Sequence, residues 1–318
     1  VAAPVAAPAT DVQSSTSTLP LAAAVAGGVL IALQQRVNGE LKIALGDALL
    51  TALVSFATGL LTVLVVVLAR PASRRAVGLL RRVPRHQLLG GLGGASFVAI
   101  GAAAAPEIGV ALLTVGVVAG QTGGGLAVDR LGLGPGGSHP LTPLRLFGAA
   151  VCLVAVGISV LGEGARSASP LLLLLVVAAG FLVAVSLALN GQVRRLTGDA
   201  GVATLVNFVV GAIALGLGVA VHAAAVGGLD VGQWPGADRW WLYLGGPLGA
   251  CFVAVAAVVV RALGVLRLGL AIVAGQLGGA LLLDLAAPVS GQPVDVVTVV
   301  AVGLTFGAVA LSGRAAKT

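Results

Sequence analysis

Residues 118–129, Val-Ala-Gly-Gln-Thr-Gly-Gly-Gly-Leu-Ala-Val-Asp, return as residues 273–284, Val-Ala-Gly-Gln-Leu-Gly-Gly-Ala-Leu-Leu-Leu-Asp. The likeness is wider than this stretch. Residues 90–129 match 245–284 at 19 of 40 positions without gaps, and 38–59 match 190–211 at 9 of 22. In a chain rich in Ala, Gly, Val and Leu, shared composition alone gives about one match in eight. The chain is therefore a duplication, with offsets of 152 and 155 in the two blocks. Whatever packing one copy adopts, the other must be able to adopt as well.

Apolar runs set the solvent. After a leading stretch, 1–19, rich in Ala, Pro, Ser and Thr and read as a disordered tail, ten apolar segments follow. They lie near 20–38, 48–69, 87–105, 108–127, 142–162, 170–189, 201–223, 241–260, 263–283 and 294–312. Segments of about 20 apolar residues cross a bilayer as helices, with their backbone groups satisfied internally. With 58% hydrophobic and 9% charged residues, and a mean hydropathy of +1.10, the chain cannot cover a water-facing surface. A membrane β-barrel would alternate apolar and polar positions, whereas these runs are continuous. The expected fold is an all-α integral membrane protein. Cys152 and Cys251 fall inside apolar runs and read as small packing residues.

Basic residues orient the spans. The segment 71–86 and its edge carry Arg70, Arg74, Arg75, Arg81, Arg82 and Arg85, which places it in the cytoplasm. Alternation then gives the cytoplasm Arg130, Arg145, Arg194, Arg195, Arg261, Arg267, Arg314 and Lys317, and leaves Arg36, Lys42, Arg166 and Arg239 outside. The net charge of +7 is thereby explained without nucleic acid. Both termini are expected in the cytoplasm. Five spans per half, an odd number, put the second half upside down relative to the first. The expected organisation is ten transmembrane helices in two inverted five-helix repeats, 20–163 and 168–313, with a cytoplasmic tail at 314–318. Inverted repeats are a common build of secondary transporters, with the solute site where the repeats meet.

With these residues in view, the chain resembles the YdcZ-type branch of the drug/metabolite transporter superfamily, in its fused ten-helix form. The resemblance rests on Asn38-Gly39, Gly46, Ser55-Phe56-Ala57-Thr58-Gly59, Gly90 to Phe97, and Gly120-Gln121 leading to Asp129. The partners in the second half are Asn190-Gly191, Gly198, Asn207-Phe208, Gly211, Gly245 to Phe252, and Gly275-Gln276 leading to Asp284. It implies a bacterial cytoplasmic-membrane exporter of a small metabolite or drug. Small members of the superfamily couple to protons through a glutamate on the first helix. Here the expected first helix, Leu21 to Asn38, has no carboxylate.

Several residues are candidates for the solute path. Gln121 and Gln276 lie about two turns inside their helices, where a polar side chain must face protein or a water-filled cavity. They serve either a solute or an interhelical hydrogen bond. Asn38 and Asn190, each followed by Gly, read first as helix stops. Gln34, beside Gln35 and Arg36, and Ser186 are one turn deeper and could face a central cavity, as could Ser55 and Asn207. Asp129 and Asp284 end their helices, where a carboxylate opposes the helix dipole and needs a partner. With Glu107 they are candidates for gating or ion coupling. Gly116, Gly120 and Gly124, and Ala271, Gly275 and Gly279, recur every four residues, the spacing of close helix packing. Arg267 reads as a snorkelling residue.

The sequence carries no H-E-x-x-H, G-x-S-x-G or G-x-x-x-x-G-K-[ST] motif, so no enzyme and no cofactor or metal site is expected. The expected partners are a small-molecule substrate and the lipid bilayer, with a proton or sodium as candidate coupling ion, in a monomer or homodimer. A channel and a lipid-handling protein are the alternatives. The inverted arrangement predicts that tags inserted in 71–86 and in 224–239 map to opposite sides of the membrane; a shared side would break it.

Overall fold

The computed structural model describes residues 18–134, 143–159, 169–229, 231–288, 294 and 296–314. The regular elements among them are helical: α1 Thr18–Leu45, α2 Ala48–Ala69, α3 Pro71–Val77, α4 Gly90–Leu131, α5 Pro143–Ser159, α6 Pro170–Thr197, α7 Ala200–Val226, α8 Gly245–Ala286 and α9 Val296–Arg314. Short 3-10 turns cover Gly78–Arg82, Arg85–Leu89 and Ala237–Leu244. Five stretches are long and apolar enough to cross a membrane: Leu19–Leu45, Ala48–Ala69, Arg85–Val128, Pro170–Thr197 and Ala200–Val226. Leu61, Val65, Leu174, Leu217 and Val221 are exposed along them, as lipid-facing residues are. This is a multi-pass membrane protein.

The first helix does not stop at Asn38-Gly39, as its sequence suggested. It continues to Leu45 and ends at Gly46, whose φ of 79° is a left-handed conformation suited to glycine. The Gly46 N–H donates to Lys42 O at 2.8 Å. Asp47 then caps α2, its Oδ1 accepting from the Leu50 N–H at 2.6 Å. The second copy repeats the device. Asn190-Gly191 lies inside α6, Gly198 turns at φ 71°, and Asp199 accepts from the Val202 N–H at 3.0 Å. Packing around the buried Asn38 outweighs its weak helix propensity. The longer helix brings a carboxylate onto α1 after all, Glu40.

Elements α4 and α8, of 42 residues each, would each be roughly 60 Å long if straight. Neither is. At one end of α8 a methyl group on Gly245 would overlap Asn38 Oδ1, and near its other end Asp284 Oδ1 stands 3.8 Å from Arg36. Both ends thus meet the same turn of α1, so α8 doubles back. In α4, Gly90 abuts the Asn190 side chain, while the carbonyls of Leu133 and Gly134, just past its other end, accept from Gln192. The reversal in α4 is at Gly109, whose φ of 76° and ψ of 161° are not helical. The residue matching Gly109 at the offset of 155 is Gly264.

The halves are interlocked. α1 packs along α8, and α6 packs along α4, so the first helix of each half lies on the doubled helix of the other. α2 packs on α7, and α5 on α9. Equivalent residues touch one another reciprocally. The Phe56 and Phe208 rings, related by the offset of 152, lie 5.0 Å apart between centroids. Phe208 covers Gly59, and Phe56 covers the matching Gly211. A residue that meets its own copy lies on a two-fold axis. Equivalent residues also fall at opposite ends of α2. Asp47, at its start, faces His222 at 3.6 Å, and Gly232 N–H donates to Leu45 O at 2.9 Å. Beyond its finish, Ser73 Oγ donates to Asp199 at 2.8 Å.

Gly59→Val and Gly211→Val should each push the facing phenylalanine off this axis, destabilising by about 1–3 kcal/mol in detergent thermal unfolding. Gly216→Val, where an added carbon meets nothing within 4 Å, should leave stability unchanged.

Candidate functional site

Two polar clusters lie about the Phe56–Phe208 axis, each built from the first two helices of one half against the glycine-rich start of the other half's doubled helix. In the second-half cluster, Asn190 Nδ2 donates to Asn207 Oδ1 at 2.9 Å and to Ser186 Oγ at 3.3 Å. Ser186 Oγ donates to Asn207 Oδ1 at 3.3 Å. Gly90 and Gly94 of α4 provide the facing wall: an added carbon on Gly90 would stand 2.5 Å from Asn190 Oδ1, and one on Gly94 3.2 Å from Asn207 Nδ2.

The first-half cluster has the same plan and a different chemistry. Its members are Gln34, Asn38 and Ser55, at the positions of Ser186, Asn190 and Asn207, facing Gly249 and Gly245 of α8. Here no side-chain hydrogen bonds join the group. Both polar atoms of Asn38 (0% exposed) and Oγ of Ser55 are buried without a protein partner. Gln35, 1% exposed and packed on Gly101, adds two more such atoms. A buried polar group without a partner costs about 1–3 kcal/mol. Such a concentration is unusual in a folded protein unless the groups serve another molecule.

The glutamines do not join either cluster. Gln276 is buried (2% exposed), and its backbone meets α1 at Gly28; Gln121 meets α6 at Gly180 in the same way. These are places where helices touch backbone to backbone. Gly116, Gly120 and Gly124 stand against Val176, Val177 and Phe181 of α6, and Gly275 and Gly279 against Val25 and Val29 of α1. Ala271 is buried beside Ala24 and Val259.

Asp284 finds its partners across the fold. Its Oδ2 accepts from the Ala111 N–H at 2.7 Å, at the start of the helix that leaves Gly109, where free N–H groups and the helix dipole favour an anion. An added carbon on Gly109 would stand 2.8 Å from the same oxygen. Arg36 Nη1 lies 3.8 Å from Asp284 Oδ1, while Arg36 Nε donates to Glu40 at 3.0 Å. Glu107 is exposed at the turn before Gly109. The side chains of Asp129 and Arg267 and that of Cys152 lie outside the described residues.

Beside this network opens a cavity of about 520 Å³ lined by Arg36, Gly39, Glu40, Pro106, Arg239 and Leu242 among others. Sequence reasoning passed over Arg36, Glu40 and Arg239 as site residues. The signal was present in Arg36 and Glu40, an i,i+4 ion pair, and was lost by ending the first helix at Asn38. At the opposite end of the bundle, Gln192 Nε2 donates to the carbonyls of Leu133 at 3.3 Å and Gly134 at 3.0 Å.

Asn190→Leu should destabilise the protein by about 1–2 kcal/mol, because Ser186 and Asn207 lose their donor. Asn38→Leu, which removes two unpartnered atoms, should be neutral or stabilising in the same detergent melt. Equal losses would mean that the two clusters are alike.

The family model described as "Putative inner membrane exporter, YdcZ" matches residues 19–159 and again 171–311. One solved crystal structure has a similar fold, with a TM-score of 0.56 at 20% sequence identity, over 95% of this chain and 98% of that one. No curated protein matches the chain.

Proposed function

Since the chain belongs to the YdcZ family within the drug/metabolite transporters, we propose that this membrane transporter is an exporter that carries a small molecule across the cytoplasmic membrane by alternating access. The carrier is built as ten spans in two inverted five-span halves, with both termini in the cytoplasm. What supports the inversion is the reciprocal contact of Phe56 with Phe208 and the placement of Asp47 and Asp199 at opposite ends of α2. What supports ten spans is the doubling back of α4 and α8.

One observation carries the mechanism. Glu40 is the counterpart of Gln192, and Pro288 that of Leu133 when the offset of 155 is extended. At one end of the bundle these positions are joined, Gln192 bridging to Leu133 and Gly134. At the other, Glu40 and Pro288 line an open cavity. Two copies of one unit thus hold two different conformations, and exchanging them would open the Gln192 end and close the Glu40 end. On the charge assignment above, the open end faces outward. The exported solute would pass from the unpartnered groups of Gln35, Asn38 and Ser55, with Gln34 beside them, to the charged cavity and so out. Glu40 and Asp284 are the carboxylates placed to carry a coupling proton or sodium ion.

In a background with Cys152 and Cys251 replaced by Ala, Gln192→Ala should weaken the bridged end. Labelling by a maleimide of Ile43→Cys, exposed on the cavity wall, should then fall by several-fold, and labelling of Val128→Cys, buried beside Gly134 at the bridged end, should rise. Reciprocal change is the mark of a carrier. A rise at both sites would indicate a channel, and no change at either would remove Gln192 from the gate.

A further inference from the structure

The open cavity has a charge pattern that its polar neighbours lack. Arg36, Glu40 and Arg239 line it, and Asp284 stands behind Arg36 at 3.8 Å. Two cations and two carboxylates sum to zero, and Asp238, the further carboxylate beside Arg239, lies outside the wall at 80% exposure, where water screens it. Ile43, Pro106 and Leu242 supply the apolar remainder of the wall. We propose that this cavity receives a small zwitterion, a solute with one anionic and one cationic group on a short apolar body. The proposal rests on the carrier reading above and names its substrate class.

Three observations converge on it. The first is capacity left over in the charged groups. Arg36 uses Nε on Glu40, but its Nη1 is buried and lacks a hydrogen-bond partner, as does Asp284 Oδ1. A guanidinium offers a fork of donors that suits a carboxylate. Arg239 is half exposed, and its contact with Asp238 is a loose 3.9 Å, so it is available as a second anion-binding arm. Glu40, 39% exposed at its side chain, is the acceptor for an ammonium.

The second is net charge. A lone anion or cation entering a site already balanced would leave an uncompensated charge as the protein closes over it, which is costly in a low-dielectric interior. A zwitterion adds no net charge. The third is size, since about 520 Å³ is far more than an inorganic ion needs and falls within the range of small-molecule sites. The pattern also belongs to one half alone. The positions matching Arg36 and Glu40 are Ala188 and Gln192, so the bridged end has no equivalent charge set.

The purified full-length chain in detergent, probed by thermal shift, tests this. The probes are glycine, leucine, phenylalanine and carnitine as zwitterions, with leucine methyl ester as the cation and N-acetylleucine as the anion. At least one zwitterion should raise Tm by about 2–4 °C at millimolar concentration, with both single-charge probes giving less than half of that zwitterion's shift. Arg239→Gln, at an exposed position, and Glu40→Gln, at a half-buried one, should fold and lose the shift measured against their own probe-free Tm, and Arg239→Lys should recover most of it. No shift with any zwitterion would overturn the proposal. So would a single-charge probe that shifts as much as the best zwitterion, or Gln variants that keep the full shift. Any of these failures leaves the reciprocal labelling produced by Gln192→Ala untouched, so the carrier reading stands or falls separately.

Discussion

Backbone-to-backbone contact between the halves is the constraint on which everything else in this protein depends. α1 reaches α8 and α6 reaches α4 only because glycine removes the side chain at each crossing. Gly28 lies on Ile272 O and Gly275 on Val25 O, while the second pair of crossings uses Gly180 on Val117 O and Gly120 on Val177 O. In lipid there is no hydrophobic drive to hold helices together, so close van der Waals packing must do it. Because each half supplies the helix that the other half's doubled helix needs, neither half can bury its polar groups alone. The exchange also places equivalent residues opposite one another about one axis. That is the geometry in which one conformation can be traded for its mirror role at the other end.

The polar clusters show how far identical scaffolds have diverged in chemistry. At the second-half positions, Ser186, Asn190 and Asn207 hydrogen-bond to one another and brace α6 against α7, leaving only Asn190 Oδ1 buried without a partner. At the first-half positions, Asn38 and Ser55, joined by Gln35 and with Gln34 beside them, hold unpartnered donors and acceptors near the open cavity. The first arrangement is a structural brace. The second keeps hydrogen-bonding capacity that the fold itself does not use, at a cost that packing elsewhere must offset. An amide offers both donor and acceptor, so such a lining can follow a solute of either polarity through a narrow path.

Much of this was legible in the sequence because duplication turns weak signals into paired ones. The Gly-Asp-Ala triplets at 46–48 and 198–200 turned out to be the helix stops and caps. Ser186, Asn190 and Asn207, chosen from a repeat comparison, do come together. Two things were hidden. Asn38-Gly39 looks like a helix end by local propensity, and only tertiary packing around α1 shows that it is not; the error concealed Glu40 and its pairing with Arg36. The partner of Asp284 was equally out of reach, since Arg36 and the Ala111 N–H lie 248 and 173 positions away in the chain. Periodicity reports which face of a helix is apolar, but not which distant helix end supplies a counter-charge.

On the carrier reading, the unequal ends have an energetic consequence. The Gln192 bridge joins an amide to two carbonyls, groups that are neutral and cheap to bring together or to separate. Closing the opposite end would instead withdraw Glu40 and Arg239, and what remains exposed of Arg36, from water, over the already buried Asp284. Their mutual attraction repays that desolvation only when the geometry is good and the remaining hydrogen bonds are made. Here Arg36 Nη1 and Asp284 Oδ1 are still 3.8 Å apart and unpartnered. Without solute the balance therefore favours the conformation seen, open at the charged end. In an exporter the return from this state is made without the solute, so a coupling ion bound by the carboxylates must lower the cost of closure, and such differential affinity is what a ligand needs in order to shift a conformational equilibrium. The same charges that hold the solute would then make its release, followed by binding of the coupling ion, the condition for turnover.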